Sequence, residues 1–262
     1  FTRAIATYQK IIDAYPQIAW ARNAQFQIAI CYNKLSQSGH LEVLPATSQA
    51  FEKYYTTYPD DERAVHAYYY DAWARYRLGK WVDASSVFAE LTRVHPTSRY
   101  AAEGLFRAGD AIFNMRMSGS EAREKKYLDA MAYYDQMVAQ YPRSDYVDDA
   151  LYNTAWCLIN MDRSSEAIPV FERIVVEYAE GRYGPRSQFT LGDYYYGLKD
   201  YDNATASYER FLELFPAEML SGKQYDPKDR GLARKAVVLL GHLAEIDAYN
   251  RYAQGETLVD SK

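Results

Sequence analysis

The stretch that decides the fold is Ala130-Met131-Ala132-Tyr133-Tyr134-Asp135-Gln136-Met137-Val138-Ala139-Gln140-Tyr141-Pro142-Arg143-Ser144-Asp145-Tyr146. Ala130, Tyr134 and Met137 fall at i, i+4 and i+7, which places them on one face of a helix. Pro142 cannot continue that helix and disfavours helical dihedrals at Tyr141, so the helix is expected to stop there. The same frame recurs. An aromatic-Pro pair stands at Tyr15-Pro16, Tyr58-Pro59, His95-Pro96 and Phe215-Pro216, with Tyr178-Ala179 in the same register. Twelve residues before each second position stand Ala4, Thr47, Ala84, Ala167 and Ala204. Four residues on come Tyr8, Phe51, Phe88, Phe171 and Tyr208, then Ile11, Tyr54, Leu91, Ile174 and Phe211. Six copies at a fixed period are the signature of stacked helix pairs.

Successive copies lie 43, 37, 46, 37 and 37 residues apart, so the unit is the shortest of these and two copies carry insertions. Those copies contain Ser36-Gln37-Ser38-Gly39-His40 and Ser118-Gly119-Ser120-Glu121, polar stretches expected as loops in the internal turn of the pair. The segments between the frames predict first helices marked by a small residue where backbones approach closely: Ala29, Ala72, Gly109, Ala155, Gly192 and Gly241. Three residues earlier stand Phe26, Tyr69, Phe106, Tyr152, Phe189 and Val238. Asp61, Ser98 and Ser144 are suited to cap the first helices. Helices of about 14 residues are marginal alone and depend on stacking. The expected fold is all-α, a right-handed α-solenoid of about six helix-turn-helix pairs forming a single domain over residues 1–262. Residues 1–16 are a half repeat, 17–216 five pairs, and 217–262 a loop from Glu218 and a capping helix from about Leu232 to Tyr252, with a frayed tail from Gln254. Opening inside a second helix, the chain reads as a fragment, with further repeats or another chain upstream.

Thirty Lys and Arg against 35 Asp and Glu, interspersed, leave a net charge of -5 and no basic footprint for nucleic acid or anionic lipid. No apolar run approaches the roughly 18 residues of a membrane span. Cys31 and Cys157 each follow a small residue by two positions in copies three units apart, so buried thiols are expected rather than a disulfide. His40, His66, His95 and His242 lack metal-ligand spacing, and His95 takes an aromatic's place before proline. Asp60-Asp61-Glu62 lacks the alternating ligands of a calcium loop and reads as a solvated helix start. With no HExxH, nucleophile elbow, phosphate loop or GxGxxG, no catalytic residue, metal or cofactor is expected.

Ala-x3-aromatic-x7-Pro in the second helix and Leu191-Gly192-x2-Tyr195 in the first resemble the tetratricopeptide repeat superfamily, over nearly the whole chain. The longer unit departs from the usual one, as does the large apolar residue where the consensus has a second alanine in the second helix. The links Tyr141-Pro142-Arg143-Ser144-Asp145-Tyr146 and His95-Pro96-Thr97-Ser98-Arg99-Tyr100 are similar to repeats of bacterial envelope proteins, such as the outer-membrane β-barrel assembly lipoprotein subunit and the Tol-Pal accessory protein. The resemblance implies a non-enzymatic scaffold that binds a protein or peptide partner within a multiprotein complex, in the bacterial periplasm with an outer-membrane tether. A cytoplasmic adaptor or regulatory part of an enzyme, and an envelope spacer contacting partners only at its ends, are the alternatives.

The resemblance also implies a concave side lined by first helices. Stepping by three or four from the residue after each small one gives Ile30 and Lys34; Tyr69, Trp73 and Arg77; Arg107, Asp110 and Asn114; Asn153, Trp156 and Asn160; and Asp193, a strip a partner could follow. Trp73 and Trp156 are the favoured anchors, with a core position as the competing reading. Asp110 and Asp193 are expected to orient a partner of some basic character. A chaperone-tail carboxylate clamp is disfavoured, because the residues after the small one are Ile30, Trp73, Asp110, Trp156, Asp193 and His242 instead of repeated asparagine.

Overall fold

The computed structural model describes residues 1–217, 219–222 and 225–253. All regular structure among the described residues is helical: α1 (Thr2–Ala14), α2 (Ala19–Gln37), α3 (Leu44–Thr57), α4 (Ala64–Arg77), α5 (Trp81–Val94), α6 (Ala101–Phe113), α7 (Ser120–Gln140), α8 (Val147–Asn160), α9 (Ser164–Glu177), α10 (Gly184–Gly197), α11 (Tyr201–Leu214) and α12 (Arg230–Ala253). Short 3₁₀ turns lie at Leu41–Val43, Met219–Ser221 and Pro227–Asp229. Even-numbered helices are first helices and odd-numbered ones second helices, so the class is an all-α fold of tetratricopeptide-like pairs. The tail from Gln254 and the loop residue Glu218 lie outside the described residues.

The chain forms two compact units, Phe1–Ala150 and Leu151–Lys262, with the boundary inside α8. In each, the second-helix stripe is the core. Phe51, Tyr54, Phe88, Leu91, Tyr134 and Met137 are fully buried in the first unit, and Phe171, Ile174, Tyr208 and Phe211 in the second. By contrast α1 has no buried residue, and Ala4, Tyr8 and Ile11 are half-buried.

Every second helix stops where the repeat frame places its end. Tyr15, Tyr58, His95, Tyr141, Tyr178 and Phe215 follow the last helical residue, with φ between -127° and -141°. Tyr178 adopts this backbone although alanine follows it, so proline is not required for the break. First helices α2, α4, α8 and α10 end on a residue of positive φ: Gly39 (φ 102°), Gly79 (φ 73°), Asp162 (φ 60°) and Lys199 (φ 61°). The following N–H groups of His40, Lys80, Arg163 and Asp200 reach back to the carbonyls of Leu35, Arg75, Leu158 and Tyr195, giving one Schellman-type turn used four times.

Three local expectations change. Ser36 and Gln37 are not loop but the last two residues of α2, and Ser120 and Glu121 form the first turn of a lengthened α7, which starts after Gly119 (φ 89°) and carries Glu121 at its electropositive end. Asp61, Ser98 and Ser144 do not cap helices. Helices α4, α6 and α8 begin three residues later, and the carbonyls of these three residues accept the N–H groups of Ala64, Ala101 and Val147. The Asp61 and Ser144 side chains instead accept from the N–H groups of Arg63 and Tyr146, two residues on, because the turn after proline needs its own acceptors. Finally, Gly241 is at no helix crossing. Its register holds, since Ala233, Ala236 and Leu243 are buried with Phe211 and Tyr208, yet Val238 is 65% exposed and a Cβ on Gly241 would meet nothing within 4 Å.

Candidate partner-binding site

The small residue of each first helix faces the aromatic of its own second helix, and the two choices are coupled. Where the small residue is glycine the aromatic is tyrosine. A Cβ on Gly109 would lie 2.6 Å from the Tyr134 ring, and one on Gly192 would lie 2.5 Å from the Tyr208 ring. In both pairs the next residue is aspartate and accepts a hydrogen bond from the tyrosine hydroxyl: Tyr134 Oη donates to Asp110 Oδ1 at 3.3 Å, and Tyr208 Oη to Asp193 Oδ1 at 2.5 Å. Burial first, then Asp193, pushes the Tyr208 hydroxyl far above its ordinary pKa. Where the small residue is alanine (Ala29, Ala72, Ala155), the aromatic is phenylalanine (Phe51, Phe88, Phe171) and the next residue is apolar: Ile30, Trp73 or Trp156.

A second regularity joins successive repeats. The residue just before or at the start of a first helix lays a flat side chain on the aromatic of the preceding first helix. Tyr100 stacks on Tyr69 (4.4 Å, 26°), Tyr146 on Phe106 (5.3 Å, 26°) and Tyr183 on Tyr152 (4.1 Å, 17°). At the same position Arg63 sets its guanidinium 5.3 Å from the centre of Phe26, held by Asp61 at 2.8 and 3.0 Å and by Asn23 at 2.9 Å. The last tyrosine of the Tyr-Pro-x-Ser-x-Tyr link is therefore glue between repeats.

In the first unit, Tyr69, Trp73 and Arg77 of α4 line a cleft of about 290 Å³ with Tyr70, Ala74, Leu44, and Asn33 and Gln37 of α2. Trp73 is half-buried, edge-on to Phe88 at 5.7 Å, with the Arg107 guanidinium 5.1 Å from its centre. Arg107 also pairs with Asp110 at 3.0 Å and Glu103 at 3.4 Å, and these carboxylates raise its pKa against the opposing effect of burial. Tyr69 donates to Glu103 at 3.2 Å; burial and that carboxylate push its hydroxyl up to about 12. Arg77 is anchored on Ser36 Oγ and O at 3.2 and 3.1 Å. Asn114 donates to Tyr76 Oη at 3.0 Å, Lys34 is exposed, and Ile30 packs on the core around Phe51. Asn33 and Gln37, the cleft's neutral amides, were missed because steps of four from Ile30 land on Lys34, one position off their face.

In the second unit, Trp156 is half-buried and edge-on to Tyr152 at 6.1 Å, and its carbonyl accepts from Asn160 at 2.7 Å. Asn153 is half-buried on the same helix. Asp193 pairs with Lys235 at 3.4 Å besides accepting from Tyr208. Both aspartates thus already hold a tyrosine and a cation, which leaves less negative field for a basic partner than their sequence suggests.

One polar cluster had not been anticipated. Asp71, fully buried beside Ala72, accepts from Ser48 Oγ at 2.5 Å, Tyr55 Oη at 2.9 Å and Arg75 Nε at 2.8 Å, and Arg75 also pairs with Glu52 at 2.9 Å. Burial raises the Asp71 pKa despite these partners. The available signal was a charge at a register otherwise held by Ile28, Ala108, Thr154 and Leu191. Both cysteines are buried, and among the described residues no group of three His, Cys, Asp or Glu is placed to hold a metal. No described helix is long and apolar enough to cross a membrane.

No curated protein sequence matches the chain. Among solved structures, TTC0263, a thermophilic TPR protein of Thermus thermophilus, is similar at 16% identity over 83% of this chain and 99% of that one, with a TM-score of 0.45. BtubC from P. vanneervenii gives 16% identity, 85% and 93% coverage and 0.47; the human IFIT1 dimer with PPP-AAAA gives 14%, 96% and 61%, and 0.48. Family models of the tetratricopeptide repeat match residues 149–180 and 185–218, the spans of α8/α9 and α10/α11. These two pairs are tetratricopeptide repeats.

Proposed function

We propose that the protein is a non-enzymatic scaffold that holds a peptide-like segment of a protein partner on its first helices, within a bacterial envelope assembly. The cleft between α2 and α4 carries this reading. It offers a half-buried tryptophan and two tyrosines for apolar side chains, and Asn33 and Gln37, amides suited to pairing with an extended backbone. The Tyr-Pro-x-Ser-x-Tyr links, which resemble those in repeats of the β-barrel assembly lipoprotein subunit and the Tol-Pal accessory protein, support a periplasmic setting with an outer-membrane tether. Panning a randomised peptide library against the protein tests the cleft: selected peptides should lose at least tenfold in affinity on Trp73→Ala and Asn33→Ala. Selected peptides indifferent to both substitutions would overturn it. Fractionation of the tagged full-length protein in its bacterial host tests the setting, and recovery in the cytoplasm would remove it.

A further inference from the structure

Two clefts open between successive second helices, over the first helix between them. One of about 370 Å³ lies between α9 and α11 on α10, and one of about 280 Å³ between α1 and α3 on α2. They are the same site in register. Each floor carries a glutamine four residues before the small residue, Gln188 and Gln25, and an apolar residue directly before it, Leu191 and Ile28. One wall adds Val175 or Ile12. The other adds a cation, Arg210 or Lys53, six residues after Ala204 or Thr47. Elsewhere the protein closes this place with its own side chains. In α4 the glutamine register holds Tyr68, on which Tyr55, at the register of Val175 and Ile12, stacks at 3.8 Å and 12°. In α6 and α8 the register holds the buried Leu105 and Leu151.

A buried glutamine destabilises the fold unless its amide is paired. Gln25 is 6% exposed, and its Nε2 has no protein partner. Gln188 is 3% exposed and donates to the Ser207 carbonyl at 2.9 Å, which uses one N–H and leaves the oxygen and the other N–H for a ligand. An amide offers a donor and an acceptor together, as does each peptide unit of an extended chain, whereas a helix has satisfied those groups within itself. The charges say which chain fits. Arg210 and Lys53 are exposed, and among the described residues neither is ion-paired. We infer that the two clefts bind extended acidic segments of a partner protein, the glutamine pairing with the backbone, a large apolar side chain covering Leu191 or Ile28, and a carboxylate meeting Arg210 or Lys53. Glu172 stands on the α9 wall where α1 has Gln9, so it opposes that carboxylate and makes the α9–α11 cleft the weaker of the two. Neither cleft shares a lining residue with the one around Trp73.

The probe is a fluorescein-labelled octapeptide of alternating leucine and aspartate, titrated into the 262-residue protein and followed by anisotropy, with sedimentation of the protein alone alongside. In an extended chain the leucines share one side and the aspartates the other, so one side meets the floor and the other the rim. Saturable binding is expected, about tenfold weaker when lysine replaces the aspartates or alanine the leucines, and about tenfold weaker for protein carrying Gln25→Leu with Gln188→Leu. Leucine already occupies this register at Leu105 and Leu151, so these variants keep their helical circular dichroism. Gln25→Leu should also raise the urea midpoint, because it removes a buried amide that has no protein partner. In the Gln25→Leu background, Glu172→Gln should tighten binding to the remaining cleft. Failure to saturate, equal binding of the lysine peptide, or indifference to the two glutamine substitutions overturns the inference. So does a urea midpoint lowered by Gln25→Leu, which would assign the amide to the fold. Self-association of the protein that the two substitutions dissolve also overturns it, making a second copy the occupant. Trp73→Ala should leave octapeptide binding unchanged; binding lost with that variant would seat the peptide in the Trp73 cleft and overturn this inference alone.

Discussion

The pairs α4/α5 and α6/α7 occupy the same place in successive repeats of one unit, yet they solve the same contact with opposite chemistry. In α4 the contact is Ala72 on Phe88; the ring needs no polar partner, and the next position can carry a tryptophan that faces the cleft. In α6 it is Gly109 under Tyr134; the hydroxyl needs an acceptor, and the next position becomes an aspartate tied to the core. What a first helix carries after its small residue is thus linked to what its second helix buries. Residues at that position cannot be exchanged between repeats one at a time.

The largest expected contrast is between the aspartate one residue before Ala72 and the one that follows Gly109. Asp71→Ala leaves two buried hydroxyls without their acceptor and Arg75 with Glu52 alone, a loss of about 3–5 kcal/mol. Asp110→Ala, partly exposed, should cost about 1 kcal/mol. Urea unfolding of the two variants measures the difference. Equal losses would mean that the buried cluster of α4 contributes no more than the surface pairing of α6.

Next in size is Trp73→Ala. Its ring is half-buried against Phe88, so the loss should fall below that of a full core tryptophan, about 2–3 kcal/mol. Trp73→Phe should retain most of the stability. Peptides selected on the cleft should weaken by tenfold or more with Trp73→Ala, about 1.4 kcal/mol, when affinity is referred to folded protein. Stability lost with affinity unchanged would assign Trp73 to the core and empty the contrast with Asp110.

The glycine itself comes third. In Gly109→Ala the new methyl meets the Tyr134 ring, costing about 1–3 kcal/mol. Ala72→Gly meets no clash and loses only about 0.5–1 kcal/mol through backbone entropy. Adding Tyr134→Phe unties the ring from Asp110 and lets it shift, so a double-mutant cycle should recover about 0.5–1 kcal/mol of the Gly109→Ala loss. A cycle that closes without coupling would show that hydroxyl and glycine are independent.

The repeat was legible because period and punctuation agree: the stripe Ala130, Tyr134 and Met137 and the break at Tyr141-Pro142 each recur at fixed spacing. The first-helix register was legible too, even in α12, where Ala233, Ala236 and Leu243 are buried as it requires. Contacts between helices were harder. The Asp71 network spans two helices, with Ser48 23 residues away in sequence, and no local period signals a pairing at that distance. Asp110 and Asp193 read as charges that orient a partner because the tyrosines that claim them lie 24 and 15 residues on.

The smallest effect is expected where Arg63 replaces tyrosine on the stacking ladder. Arg63→Tyr would place a ring on Phe26 as Tyr100 lies on Tyr69, recovering a stack worth about 0.5–1.5 kcal/mol. It would also remove the Asp61 contacts at 2.8 and 3.0 Å, although Arg22 remains 3.2 Å from that carboxylate. The opposing changes should leave stability at pH 7 within about 1 kcal/mol of the parent. The pH dependence should move more clearly. Hydrogen bonding from Arg63 holds Asp61 well below its ordinary 3.8. A carboxylate depressed on folding contributes stability that is present above its unfolded pKa and lost as pH falls toward the folded one. Arg63→Tyr should therefore flatten the acid side of the stability profile below about pH 4, measured by urea unfolding from pH 7 down to pH 3. An unchanged acid slope would show that Arg22 alone sustains the Asp61 charge, and that arginine and tyrosine are interchangeable on this rung.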